Sequence, residues 1–154
     1  MFAIRLLTLA FASLRVSDAC TCSDPTVLVA KQRAAVVFRG VITALRPTGK
    51  QPRFDGDAIK MAVFRVSRVW KGEVGQTFEM PAAEEGGGCW GFDSQLLKVG
   101  AELVVYARRT VKMGYETNIC SRTKFVKYAA GDFKELGPGE EPKRTASSHN
   151  PKPK

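Results

Sequence analysis

Ala35-Val36-Val37-Phe38-Arg39-Gly40-Val41-Ile42-Thr43-Ala44-Leu45 is a β-branched, apolar run that stops just short of Pro47. Side chains of this kind suit the pleated surface of a sheet, so the run predicts a long, curved core strand with a bend or bulge at Gly40. The neighbouring stretches continue the pattern. Met61 to Trp70 sets Ala62, Phe64 and Val66 on one face and Val63, Arg65 and Ser67 on the other. Lys71-Gly72-Glu73-Val74-Gly75 then turns the chain back into Gln76 to Met80 as a hairpin. Leu103-Val104-Val105-Tyr106-Ala107 and Thr117-Asn118-Ile119-Cys120 predict two more strands around a turn at Gly114, and Thr48 to Asp57 reads as a loop. Asp24-Pro25 forms an N-cap and first-turn pair for a short helix through Arg33, and Ala129 to Leu136 predicts a closing helix ended by Gly137-Pro138. Five strands with short flanking helices make a mainly β chain, best accommodated as a small closed or partly open barrel.

Outside this run the chain divides into three parts. Met1 to Ala19 has Arg5 near its start, an apolar stretch from Leu6 to Leu14, and Ser17-Asp18-Ala19 before a cysteine. Small residues at minus three and minus one fit a secretory signal peptide at 1–19, and the stretch is far shorter than the roughly 20 apolar residues of a membrane span. The competing readings are a buried N-terminal helix and a lipid-anchored cysteine; Ser17 stands where a lipobox needs a leucine-like residue, which disfavours the second. The expected domain is 20–137, ordinary in size for one core. Residues 138–154, rich in Pro, Lys and Ser and with almost nothing apolar to bury, are expected to be a disordered basic tail.

Secretion makes Cys20 the first residue of the mature chain. The cysteines are Cys20, Cys22, Cys89 and Cys120. In an oxidising compartment they predict two disulfides with three possible connectivities. The alternative, a metal site, lacks paired C-x-x-C knuckles and a nearby histidine. A Cys20–Cys22 bridge across one residue of extended backbone is strained, so each is expected to reach a distant partner. A loop of that length stabilises a fold by about 4 kcal/mol through lost chain entropy.

The formal charge of +9, lowered by one once Arg5, Arg15 and Asp18 leave with the leader, favours anionic partners in a weak, salt-sensitive way. The basic residues are dispersed and no interleaving of aromatic and basic positions matches a nucleic-acid module, so no specific nucleic-acid partner is expected. An enzyme is not expected either. His149 is the only histidine and lies in the tail, which leaves no triad or histidine-based metal site in the domain. Asp55, Asp57, Glu84 and Glu85 read as solvated loop acids, and Gly86-Gly87-Gly88 lacks the Lys and Ser/Thr of a phosphate loop.

Cys20-Thr21-Cys22, Ala35 to Gly40, Val69-Trp70-Lys71-Gly72, Cys89 and Asn118-Ile119-Cys120 resemble the N-terminal inhibitory domain of the tissue inhibitors of metalloproteinases. The resemblance covers about Cys20 to Leu136. It implies a netrin-like, OB-like Greek-key barrel and, from the similar cysteine spacing, the pairs Cys20–Cys89 and Cys22–Cys120. It also implies that the α-amino nitrogen and carbonyl oxygen of Cys20 bind the catalytic zinc of a target protease. Thr21 would enter the first primed-side pocket, and Cys22, Ser23, Asp24 and the loop containing Gly87 and Gly88 would extend the contact. The zinc belongs to the target; no cofactor of its own, no stable membrane anchor and a monomeric state are expected. Two features depart from the family pattern of a third disulfide in this domain and a second cysteine-rich domain after it: this sequence has no cysteine between Cys22 and Cys89 and none beyond Cys120, and three glycines replace side chains before Cys89. Hence the alternative reading is a secreted netrin-like binding or adhesion module without inhibition, with a basic barrel for nucleic acid or polysaccharide as a third.

Overall fold

The structure, a computed structural model, describes residues 21–49, 59–83, 90–111 and 114–144. In chain order the elements are α1 (Val27–Arg33), β1 (Val36–Pro47), β2 (Lys60–Lys71), β3 (Thr77–Ala82), β4 (Glu102–Thr110), β5 (Gly114–Glu116), β6 (Lys124–Phe125), a 3-10 turn (Val126–Tyr128) and α2 (Ala130–Leu136). The strands form one antiparallel, curled sheet in the order β3-β2-β1-β4-β5, a half-barrel, with β6 also on β4.

The apolar run of β1 is continuous because its first half is buried on both sides. Val36, Phe38 and Ile42 face the inside of the curl with Phe64, Met80, Phe92, Leu103 and Val105. Val37 faces the other way, packing with Val104 and Tyr106 beneath Val27 and Ala30 of α1 and Leu136 of α2. Strands covered on both faces lose the apolar–polar alternation, which is why these read as blocks. The curl comes from register irregularities between β1 and β2 at Val37/Phe38, Arg39/Gly40 and Ile42/Ala44. Extra residues on one strand bend it and increase its twist. Gly40 is the expected bend, and a Cβ there would stand 3.0 Å from the Arg65 carbonyl oxygen. Inside the curl, Phe38 contacts Phe64 and Phe78 with ring centroids 5.3 and 5.0 Å apart. Phe78 of β3 meets Tyr115 of β5 at 5.0 Å, so the two ends of the sheet approach through aromatic edges.

Four expectations need correction. The N-cap of α1 is Thr26, whose hydroxyl accepts from the Val29 amide at 3.4 Å, while the Asp24 carboxylate meets Arg122. The strand expected at Thr117–Cys120 lies at Gly114–Glu116. Thr117 to Cys120 forms a turn held by side-chain hydrogen bonds, with the Asn118 carboxamide oxygen accepting from the Cys120 amide at 3.0 Å. That local bond offers the backbone an alternative to a ladder. The two-residue strand β6 was not expected; it pairs Lys124 and Phe125 with Val104 and Leu103.

The fourth concerns the first part of the expected tail, since residues 145–154 lie outside the described residues. Residues 138–144 lie along β2 rather than apart from the domain: Val69 and Glu140 exchange backbone hydrogen bonds of 2.9 and 2.8 Å, and Lys143 bonds to Val74 and Gln76. Composition misleads here because backbone pairing requires no apolar side chain. The Trp70 indole donates to the Gly137 carbonyl at 2.8 Å, and Gly139 packs against the same ring with φ +68°. A Cβ at Gly139 would lie 2.8 Å from the Trp70 indole nitrogen. Gly139→Ala should therefore cost about 1–3 kcal/mol in urea unfolding, from positive φ and overpacking together. A change indistinguishable from zero would mean the segment is not docked.

Candidate functional site

Thr21, Cys22, Ser23 and Asp24 are all exposed and lie in a non-regular segment ahead of α1. Cys22 is bonded to Cys120, with their Cα atoms 5.1 Å apart. This agrees with one of the two pairs implied by the resemblance. Cys20, Gly87, Gly88 and Cys89 lie outside the described residues, as do Asp55, Asp57, Glu84, Glu85 and His149. Trp90, the residue after Cys89, forms a bridge with Asn118, so the described end of that loop reaches the turn that carries Cys120.

That turn is braced by hydroxyls. Thr117 Oγ1 lies 2.5 Å from Ser121 Oγ and 2.9 Å from Thr123 Oγ1, while Thr123 Oγ1 accepts from the Tyr106 amide at 3.0 Å. Ser121 Oγ also reaches the Asn118 carbonyl at 2.7 Å. Small hydroxyl side chains satisfy turn backbone without bulk, so a chain reversal can sit directly on β4.

Beside the disulfide lies a charged cluster. Asp132 of α2, its side chain 3% exposed, accepts from Arg122 at 2.8 Å, from the Tyr106 hydroxyl at 2.7 Å and from Lys124 at 3.3 Å. Arg122 simultaneously donates from Nη1 to the Pro25 carbonyl at 2.7 Å and to Asp24 at 2.9 Å. Burial pushes the Asp132 carboxyl up, but hydrogen bonds from Arg122 and Tyr106 and the charges of Lys124 and Arg122 outweigh it and hold it below its ordinary value. Burial, reinforced by the adjoining carboxylate, pushes the Tyr106 phenol far above its ordinary range. The hydrogen bond to Asp132 raises the Arg122 guanidinium further. Sequence reading missed this cluster. The available signal was Asp132, four residues before Leu136 and so on the same helix face.

A cleft of about 220 Å³ opens between the N-terminal segment, α1 and the sheet, with Ser23, Arg33, Arg108 and Asn118 among its lining residues. Arg108 is tied to Glu116 at 2.5 Å, and the Trp90 indole donates to the same carboxylate at 3.1 Å. The cleft thus combines a fixed ion pair with the exposed Arg33 at its edge. A second cleft of about 290 Å³ shares Thr117 and Asn118 and continues past Phe92 to Lys127 and Tyr128. The turn that holds Cys22 therefore lines both depressions, and the exposed segment it carries offers backbone groups and short polar side chains to a partner. No family model and no curated protein matches the chain.

Proposed function

We propose that the chain is a secreted inhibitor of zinc metalloendopeptidases, built on an OB-like barrel and acting through the free amino group and carbonyl of a mature N-terminal Cys20. The observation that carries this reading is the exposed Thr21–Asp24 segment pinned at Cys22 by Cys120. A short polar segment fixed at one point by a disulfide has less freedom left to lose when a protease closes on it. The Trp90–Asn118 bridge supports the companion Cys20–Cys89 pair, because it draws the chain after Cys89 towards the same turn. The strand order β3-β2-β1-β4-β5, with β3 and β5 meeting through Phe78 and Tyr115, supports an OB-like closure.

The chemistry follows from the target's metal. A catalytic zinc keeps one coordination position for the water it activates, and a bidentate amine–carbonyl pair in that position removes the nucleophile. An α-amino group titrates near 7.7–8.0 in model peptides and must be neutral to coordinate. Thr21 then enters the neighbouring primed-side pocket, while Ser23 and Asp24 lie along the cleft. The chain performs no catalysis.

The test uses the protein with a verified free Cys20 amine against a panel of zinc endopeptidases. Inhibition at micromolar concentration or below is expected, and one added N-terminal alanine, or acetylation, should abolish it with the fold unchanged. Failure of the free-amine protein across the panel overturns the reading. Binding to partners that is indifferent to the blocked amine would favour a netrin-like adhesion module instead.

A further inference from the structure

The segment Thr21–Thr26 buries almost nothing that could orient it: only Pro25 is half-buried, and the first buried side chain is Val27. Cys22–Cys120 fixes one point. A disulfide leaves torsions about its own bonds, so a chain held there alone is pinned but not aimed.

Arg122 supplies the second point, two residues beyond Cys120. One side of its guanidinium, Nη2 and Nε, sits on the Asp132 carboxylate at 2.8 and 3.4 Å, while Nη1 reaches the Pro25 carbonyl and Asp24. The planar fork of an arginine spans two partners in a fixed geometry, which a lysine ammonium does not. Asp24 is 85% exposed, so its ion pair is screened by water and contributes little. The Pro25 carbonyl is the effective contact. Arg122 also has φ +67°, the one non-glycine residue with positive φ among the described residues. Such a conformation is unfavourable for a residue with a Cβ and persists only where its surroundings hold it.

We infer that Arg122 is a positioning residue: braced by Asp132 and Tyr106, it sets the direction in which Thr21–Thr26 leaves the half-barrel, so that disulfide and guanidinium act as two tethers from one turn. What the aimed segment serves rests on the proposed inhibitory function; the aiming itself does not.

The experiment compares the mature protein with Arg122→Lys and Arg122→Gln, using Lys143→Gln as a control. The control removes a charge from an exposed pair with Glu73. Backbone ¹⁵N order parameters are measured at Ser23 and Asp24, and at Phe38 and Leu103 in the core. In both Arg122 variants the segment values should fall from about 0.85 to below about 0.6 while the core values hold. Inhibition of a zinc endopeptidase should weaken by roughly ten-fold or more as preorganisation is lost. The control should match wild type in both. Unchanged segment values, or core values falling alongside them, overturn the tether. A loosened segment with undiminished inhibition overturns the functional claim for its direction. If wild type inhibits nothing, the proposed function fails while the order parameters still decide the tether.

Discussion

Asp132→Asn should lower the unfolding free energy by about 3 kcal/mol at pH 7, at the low end of what removing one partner from a buried ion pair costs. The carboxylate is almost fully enclosed and holds Arg122, Lys124 and the Tyr106 hydroxyl together. An asparagine of the same shape still accepts hydrogen bonds but takes the counter-charge from Lys124 and leaves Arg122 only the exposed Asp24. The pH dependence has a fixed sign. Because the folded carboxyl sits below its ordinary 3.8, its contribution is complete above that value and is lost as pH falls through the lower folded one. Urea titrations should show wild type and variant well separated at pH 7 and converging below about pH 4. A gap that persisted under acid would mean that charge was not the origin of the effect.

Converting Cys22 and Cys120 to serine together should destabilise the protein by about 4 kcal/mol, because the bridge closes a loop across a sequence separation of 98. The main effect is on the unfolded chain, which regains the freedom the closed loop denied it. The folded half-barrel should keep its sheet, since its interior is built by Phe38, Phe64, Phe78 and Phe92 and not by the disulfide. Near-native far-ultraviolet dichroism with a much lower urea midpoint is the expected pair of observations. A loss below about 1 kcal/mol would show that the unfolded ensemble is compact without the bridge.

The sheet was largely legible because its signals are local. Val36 to Ile42 and Leu103 to Ala107 are β-branched blocks, and Lys71-Gly72-Glu73 turns β2 as expected. Gly72 is forced, since a Cβ there would meet the Ala35 carbonyl at 2.6 Å. The Cys22–Cys120 half of the site was legible only through the family resemblance, since the cysteines by themselves left three connectivities open. Arg122 was not, because its role depends on residues remote in sequence: Asp24 and Pro25 before α1, and Asp132 on α2. Nothing in Ser121-Arg122-Thr123 distinguishes that arginine from a solvated one. Thr117 to Cys120 was misread for a related reason. Thr117 and Ile119 have good strand propensity, but the Asn118 side chain and the Ser121 hydroxyl compete locally for the backbone and prevail.

The segment along β2 has one more consequence. β3 pairs with β2 only from Lys60 to Arg65, so without a further partner the later part of that strand would present open amides and carbonyls. Such an edge is a template on which another molecule can add a strand. Glu140 at Val69 occupies that template from within the same chain, Lys143 at Val74 and Gln76 covers the turn that follows, and charged residues at 140, 141, 143 and 144 discourage a stranger from approaching. The polar composition of this stretch, so unpromising for a core, is well suited to keeping a curled sheet from polymerising.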